Sequence, residues 1–387
     1  MDFIRHKILF IPLLLLVALL SLDQVLKRPE VVKYTVRWTN FERENYQFKE
    51  MLFRQLLEES ARQKERGMEL GLLFGTSRIM EFDNTEIDKL SAGHYTYNFA
   101  APAAPPSYYY YWLERIEEAG LMEDVDFVFL EFDPTVLNKA NSRASLAYAY
   151  DMQFILENLD LNSSAPANIW NAEGDGFSVK EAETFFLKQY IAFSKYPLNP
   201  GNVLENQKTA LIPTASGEMK SLQHWEIKQE LIQKSRQTLR EHRGGRPTYW
   251  QPDPDPEELE AHERLTNRVH IQYLEMAPSQ MIFFQRTLRL LARHGKKVII
   301  YWPPSTPGLR QTMKDAGLFH SHRDELKNFT ETLSRQYPDS RFTLLDPMAI
   351  QDLPCLKLVD AYHLKSECFP FVAREVVEIL KRQESRN

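Results

Sequence analysis

Hydrophobic and polar positions alternate along this chain in a pattern that predicts short buried strands separated by amphipathic helices. Runs rich in apolar, β-branched and aromatic residues predict five strands, at 68–74, 95–100, 125–132, 297–302 and 341–345. Apolar residues at helical spacing predict helices at 108–118, 145–159, 178–196, 219–240, 264–294, 325–336 and 367–382. We expect the 264–294 helix to break or kink at Pro278. Strands that alternate with helices predict an α/β fold with a parallel sheet covered on both faces.

The N-terminus has the pattern of a membrane signal-anchor. Residues 8–22 contain no charged side chain and follow the basic residues Arg5 and Lys7. A run of this length is at the short end of what spans the roughly 30 Å hydrocarbon core of a bilayer. No small-residue cleavage site follows the run, which favours an uncleaved anchor, with a cleaved signal peptide as the alternative. We therefore expect a single-pass anchor at residues 1–31.

The rest of the chain divides into a linker, a core in two pieces and an insertion. Residues 32–66 contain neither glycine nor proline and are periodic from residue 38 onward, which predicts a linking helix. The strand and helix rhythm assigns residues 67–139 and 266–387 to the α/β core. Residues 140–265 combine amphipathic helices with a proline-rich stretch, which indicates a helical, proline-rich insertion or lid.

Charge and cysteine content exclude some classes of protein. The 387-residue chain has a formal net charge of -6 and an isoelectric point near 6.0, which argues against nucleic acid as a partner. Its two cysteines, Cys355 and Cys368, lack a metal-binding spacing. They are expected to be buried small side chains, with a single disulfide as the alternative. His262 and His270 fall in the polar helical region and are expected to be solvated, so no metal site is predicted.

Two short motifs carry the candidate chemistry. Gly75, Thr76 and Ser77 form a Gly-x-Ser turn after the first strand, and Asp360 and His363 stand three residues apart before the last helix. An imidazole can take the proton of a serine hydroxyl, and a carboxylate can orient that imidazole. Together the motifs predict a Ser-His-Asp hydrolase or acyltransferase. Each motif also has a purely structural interpretation, as a turn leaving a strand and as a cap on the last helix.

The predicted topology brings further polar residues toward these motifs. Ser77, Asn98, Asp133 and Pro303 each lie at or just past the end of a predicted strand. Sites in parallel sheets form at the carboxyl ends of the strands, so we expect one shared pocket. Arg78 follows the serine directly, and either binds an anionic substrate or forms a structural ion pair.

Residues 75–78, 97–100 and 360–363 resemble the sequence blocks of the SGNH/GDSL hydrolase superfamily. Within it, the chain is most similar to the membrane-anchored envelope branch, the DltD-like proteins and the AlgJ/AlgX-like proteins of alginate O-acetylation. The resemblance covers roughly residues 68–137 and 295–382. It implies a three-layer, flavodoxin-like parallel sheet that carries the helical insertion and follows the N-terminal membrane anchor helix.

Carried onto this chain, the resemblance implies a catalytic triad and an oxyanion hole. Ser77 would be the nucleophile, His363 the base and Asp360 the third member of the triad. The backbone N–H groups of Ser77 and Ala100 would hold the oxyanion, with Asn98 in place of an asparagine that secreted relatives supply from another block. This chemistry requires no metal and no organic cofactor.

The resemblance also implies a function and a location. We expect a serine acyltransferase or esterase that acts on O-acyl groups of a cell-envelope polysaccharide or glycolipid through an acyl-serine intermediate. A membrane-bound O-acyltransferase is the protein partner that this branch implies. The protein would be anchored in the cell membrane, with its domain in the periplasm or outside the cell. The alternative is a non-catalytic envelope assembly or binding protein that retains the fold.

Overall fold

The computed structural model describes most of the chain as two compact units. One unit comprises residues 1–44 and 180–234, and the other comprises residues 45–179 and 235–387. The segment predicted as an insertion, 140–265, thus contributes to both units. The residues that the structure describes are 2–28, 30–32, 41–162, 166, 168–196, 199–213, 219–247 and 253–385.

The second unit is built around a parallel β-sheet of five strands, in the order β2-β1-β3-β8-β9. These are the five strands that the hydrophobic pattern predicts, so the predicted α/β fold with a parallel sheet is confirmed. In the part of the chain that the structure describes, the strands are β1 (Glu69–Phe74), β2 (His94–Asn98), β3 (Val125–Glu131), β4 (Leu159–Asp160), β5 (Phe177–Ser178), β6 (Thr209–Pro213), β7 (Met219–Gln223), β8 (Lys297–Tyr301) and β9 (Arg341–Leu345).

Helices precede, separate and follow the strands, as the apolar spacing predicts. Within the described residues they are α1 (Asp2–Leu26), α2 (Phe41–Glu65), α3 (Ser77–Met80), α4 (Thr85–Leu90), α5 (Pro106–Glu118), α6 (Ser142–Tyr148), α7 (Met152–Glu157), α8 (Val179–Tyr190), α9 (Ala192–Lys195), α10 (Pro200–Gln207), α11 (His224–Glu241), α12 (Pro256–Asn267), α13 (Pro278–Arg293), α14 (Pro307–Asp315), α15 (Leu318–Gln336) and α16 (Phe369–Glu384). The expected break at Pro278 is confirmed, because this proline is the first residue of α13, where its missing N–H costs no hydrogen bond.

Aromatic side chains fill the core on both faces of the sheet. Successive residues of a strand point to opposite faces, and the β1–β3 register puts Phe74 and Phe129 on different faces. The Phe74 ring lies 6.1 Å from the ring of Tyr109 in α5. On the other face, the Phe82 ring lies 5.8 Å from Phe129 and 5.0 Å from Phe369 of α16. Helices therefore cover both faces of the sheet, as two-sided burial of its strands requires.

Two helices predicted from periodicity differ in the structure. The predicted helix at 145–159 is two short helices, α6 and α7, and Asp151 caps the second by accepting a hydrogen bond from the N–H of Phe154. The predicted helix at 219–240 begins as strand β7, which pairs antiparallel with β6. A five-residue stretch is too short for its period to separate strand from helix, so only the pairing partner decides.

The predicted anchor at residues 1–31 coincides with helix α1 (Asp2–Leu26). Among the residues described, the structure contains no helix whose length and hydropathy meet the requirement for crossing a bilayer. The side chains of residues 1–10 lie outside the described part. The predicted linking helix begins at Phe41 in the structure, and residues 33–40 also lie outside the described part. The anchor stays a prediction.

A buried lysine fastens the end of β2 to the glycine pair that follows α11. Lys49 is fully buried, and its Nζ donates to the carbonyl oxygens of Asn98 at 2.7 Å and Gly244 at 3.0 Å. Gly244 has φ of +94°, and a Cβ there would lie 2.1 Å from the Asn98 oxygen. Burial lowers the pKa of Lys49 to about 7, and a neutral amine has two N–H groups for these two carbonyls.

We predict that the stability contributed by Lys49 rises with pH. Its pKa is about 7 when folded and 10.5 when unfolded, so between these values the unfolded chain binds the extra proton and folding is favoured as pH increases. Urea unfolding of the wild type and of Lys49→Met should show this. The unfolding free energy of the wild type minus that of Lys49→Met should increase by roughly 3 kcal/mol from pH 7 to pH 9.5. A difference that is constant with pH would show that the buried amine stays charged.

Candidate active site

Ser77 stands on a tight turn at the carboxyl end of β1. Two residues earlier, Gly75 has no room for a side chain, since a Cβ at this position would lie 2.4 Å from Oε2 of Glu131. Thr76 caps the short helix α3, and its side chain accepts a hydrogen bond from the N–H of Arg78 at 3.3 Å. The turn leaves the serine half-buried as the first residue of α3. The Gly-x-Ser pattern thus has a local steric cause, whatever its chemistry.

Asp360 and His363 lie in one compact loop before α16. Oδ1 of Asp360 accepts hydrogen bonds from the N–H groups of Tyr362 at 3.0 Å and His363 at 2.9 Å. An antiparallel bridge between Leu358 and Leu364 closes the base of the loop. The three-residue spacing therefore lets one carboxylate cap its own turn and still present its second oxygen to the imidazole.

The two motifs meet although Ser77 and His363 are 286 residues apart in sequence. The Oγ of Ser77 lies 2.8 Å from Nε2 of His363, and Nδ1 of that ring lies 2.7 Å from Oδ2 of Asp360. A carboxylate only accepts, so Nδ1 carries the proton and Nε2 is free to accept from the serine hydroxyl. Burial raises the pKa of Asp360, but the hydrogen bond and charge of His363 outweigh it and lower that pKa to about 2.

Arg78 is held by two buried carboxylates at the end of β3. Its guanidinium lies 2.5 Å from Oε1 of Glu131 and also bonds both oxygens of Asp133. The pKa of Glu131 is raised because its burial outweighs the Arg78 charge, whereas for Asp133 the same charge and its hydrogen bonds overcome burial and lower the pKa. Of the two expectations for Arg78, these contacts favour the structural ion pair.

Asn98 and Ala100 are bonded within the protein. Nδ2 of Asn98 donates to the carbonyl of Ile79 in α3 at 3.0 Å, and its Oδ1 accepts from the N–H of Ala100 at 2.9 Å. Asn98 thereby ties the end of β2 to the helix that Ser77 begins. These contacts argue against the oxyanion roles expected for both residues, because the predicted donors already have acceptors. Catalytic and oxyanion roles alike stay predictions.

One cavity opens beside Ser77. The empty space between its lining residues, open solvent included, is about 700 Å³. Its wall includes Arg78 and Asp133 but neither Asn98 nor Ala100. In the sheet order, β2 lies on one side of β1 and the later strands lie on the other side, so the order of strand addition reverses between β1 and β3. Ligand crevices in parallel sheets form at such a switch point. The shared pocket expected from the strand ends therefore has a counterpart in the structure.

Several residues at the site were not expected from the sequence. Ala103 lines the cavity with φ of +51°, a conformation that is uncommon for a residue other than glycine. The Tyr362 ring lies 4.4 Å from His363 and 5.6 Å from His270, which also lines the cavity. His262 lies 3.7 Å from Asp360. The two histidines, which were expected to be solvated, are half-buried, and they contact the loop that carries Asp360 and His363 through Ala361 and Tyr362.

The cysteines form a disulfide around the Asp-x-x-His loop. Cys355 and Cys368 are bonded, 13 residues apart, with Asp360 and His363 between them. The expectation of two buried free thiols is therefore wrong, and the alternative of a single disulfide is confirmed. The sequence alone could not show this, since pairing requires that the chain bring the two Cβ atoms together.

One cluster among the described residues could offer three metal ligands. Glu69, His94 and Asp126 bring their ligand atoms within 4.8 Å of one another. They lie at the amino ends of β1, β2 and β3, whereas Ser77 follows the carboxyl end of β1. The cluster is therefore at the opposite end of the strands from Ser77. Nζ of Lys297 is 2.8 Å from Asp126 and already supplies a positive charge there. We assign this cluster a structural role.

We predict that Arg78 is needed for stability. Arg78→Met leaves Glu131 and Asp133 buried without a cation, which should lower the free energy of unfolding by about 3–5 kcal/mol at pH 7. The deficit should shrink as pH falls to about 5, because a buried carboxyl that has lost its cation gains a proton more easily than the paired carboxyl of the wild type. Urea unfolding at both pH values measures this.

Arg78→Lys is the matched control for charge. It should lose less stability than Arg78→Met at pH 7, since it keeps the positive charge but lacks the forked geometry. Equal stability of wild type and Arg78→Met would contradict the structural ion pair. It would favour the other expectation, that Arg78 binds an anionic substrate.

Comparison with known proteins identifies the family of the chain. A family described as "Protein of unknown function (DUF1574)" matches residues 3–380, which include both motifs and all five strands of the central sheet. No curated protein matches the chain. Because the match extends over almost the whole sequence, the protein belongs to the DUF1574 family.

Proposed function

We propose that this protein is an SGNH-like serine acyltransferase or esterase that acts on O-acyl groups of a cell-envelope polysaccharide or glycolipid. The observation that carries the proposal is the chain of contacts from Ser77 Oγ through His363 to Asp360, with distances of 2.8 Å and 2.7 Å. The strand order, equivalent to 2-1-3-4-5 among the core strands, and the helices on both faces support a three-layer flavodoxin-like architecture.

The first half of the reaction transfers the acyl group to the protein. As Ser77 Oγ attacks the ester carbonyl, its proton passes to Nε2 of His363, and Asp360 stabilises the imidazolium that forms. The tetrahedral intermediate collapses when its C–O bond to the alcohol breaks, and His363 returns the proton to the departing alkoxide oxygen. The products are an acyl-serine and a free hydroxyl compound.

The second half releases the acyl group. A hydroxyl of the acceptor, or a water molecule, gives its proton to Nε2 of His363 while its oxygen attacks the acyl-serine carbonyl. The bond to Ser77 Oγ then breaks, and the serine recovers its proton from the imidazolium. Transfer and hydrolysis differ only in the acceptor, so both use the same three residues.

Two features support an envelope location. The Cys355–Cys368 disulfide is typical of proteins that fold in an oxidising compartment outside the cytoplasm. From Ile11 to Val25, helix α1 also exposes apolar side chains, including Leu14 and Leu19, which are 65% and 57% exposed. Exposed apolar surface of this kind favours a membrane or another apolar contact. A single-pass anchor with the domain in the periplasm or outside the cell, and a membrane-bound O-acyltransferase as partner, remain part of this proposal.

The alternative is a non-catalytic assembly or binding protein with the same fold. The observation that favours it is the bonding of Asn98 and Ala100 within the protein, which engages two of the three predicted oxyanion groups. Loss of one oxyanion donor typically lowers the rate by about 10²–10³-fold, so an incomplete oxyanion hole weakens catalysis without abolishing it.

Labelling of the purified full-length protein with a fluorophosphonate probe tests the proposal. The wild type should be labelled, because His363 activates Ser77, and both Ser77→Ala and His363→Ala should lose the label. Ser91→Ala is the matched control, since this serine is also half-buried but contacts His94 outside the site. It should label like the wild type.

The alternative function makes the opposite prediction. A folded wild type that is not labelled, or is labelled equally in the Ser77→Ala variant, would sink the catalytic proposal and favour the assembly protein. Circular dichroism of every variant confirms that an unlabelled protein is folded.

A further inference from the structure

The cavity extends from Ser77 across the carboxyl ends of the neighbouring strands. Its wall begins at Ser77 after β1, passes Asp133 after β3 and reaches Trp302 after β8. These three strands are consecutive neighbours in the sheet. Neighbouring strands lie about 4.8 Å apart, so two spacings place the far wall roughly 10 Å from the serine end.

The far wall of the cavity is apolar. It is formed by Trp302, by Leu309 and Met313 of α14, and by Phe319 of α15, and Ile271 also lines the cavity. Each of these side chains is buried, with at most 8% of its surface exposed. The Trp302 and Phe319 rings support each other, with centroids 5.3 Å apart. The wall therefore comes from several elements that are fixed against one another.

The one charged side chain on this wall is already paired. Arg310 lies 2.5 Å from Oδ2 of Asp346, and its guanidinium stacks over Phe319 at 4.6 Å. Asp346 is also held by Arg323. A stacked and paired guanidinium contributes a flat face to the wall, so the wall suits an apolar group more than a free anion.

The serine end of the same cavity is polar. Thr135, Asn141, His270 and Tyr362 line it together with Ser77. A substrate whose ester carbonyl sits at Ser77 has an acyl side and an alcohol side. The two poles of the cavity match these two sides, with the polar alcohol among the hydroxyl, amide and imidazole groups and the acyl chain against the apolar wall.

We propose that the wall of Ile271, Trp302, Leu309, Met313 and Phe319 is an acyl-chain site that selects medium-length acyl groups. The inference rests on the proposed function, since it requires an acyl-serine at Ser77. An extended chain advances about 1.3 Å per carbon–carbon bond, estimated from bonds of about 1.5 Å, so about six to eight carbons span the 10 Å. Each buried methylene favours binding, and an acetyl group would leave the wall in contact with water.

Hydrolysis of p-nitrophenyl esters by the purified full-length protein tests the inference. The wild type should have a kcat/KM at least tenfold higher for the octanoate than for the acetate, since several methylenes are buried. Met313→Trp fills the apolar end and should lower this octanoate-to-acetate ratio about tenfold or more. Gln311→Trp is the matched control, because Gln311 is exposed on the same helix and lies outside the cavity. Its ratio should equal that of the wild type.

Met313→Ala is a second variant that tests the inference if Met313→Trp does not fold. It lengthens the apolar end and should raise the ratio of dodecanoate to octanoate turnover about threefold or more. Equal turnover of acetate and octanoate by the wild type, or ratios that neither Met313 variant changes, would overturn the acyl-chain site while Ser77-dependent turnover preserved the proposed function. Turnover that is the same in the wild type and in Ser77→Ala would overturn both.

Discussion

The buried contact of Arg78 with the two carboxylates at the end of β3 is the constraint on which the site depends. Glu131 also accepts hydrogen bonds from the N–H and hydroxyl of Thr76, so one carboxylate fixes both residues that flank Ser77. Three charges at the bottom of a cavity are costly unless each is paired. The pairing therefore holds the serine turn rigidly against β3, and this rigidity sets where the hydroxyl points.

The imidazole of His363 reaches Ser77 from a loop that is held by its own contacts. Asp360 caps the loop and orients His363, and the disulfide joins Cys355 to Cys368 around both. Catalytic geometry within a fraction of an ångström needs supporting contacts of this kind. The disulfide also closes a short loop in the unfolded chain, so it restricts the unfolded ensemble and favours the folded arrangement of Asp360 and His363.

Much of the fold could be predicted from the sequence, and less of the site. The central strands have continuous buried runs, and a motif such as Asp360 to His363 is local, so both leave a readable pattern. The pairing of Arg78 with Glu131, the bonding of Asn98 to Ile79 and the approach of the helical histidines depend on long-range packing. The local hydrophobic pattern does not predict these contacts, because a charged residue looks the same in the sequence whether it is buried in an ion pair or exposed to solvent.

The central claim is that Ser77 and His363 act as one catalytic unit, and a double-mutant comparison tests it most directly. We would measure p-nitrophenyl octanoate turnover by Ser77→Ala, His363→Ala and the double variant, each checked for folding. If the residues act as a unit, either single substitution removes nearly all activity, by roughly 10³-fold or more, and the second adds no further loss. Losses that multiply, or single variants as active as the wild type, would contradict the claim.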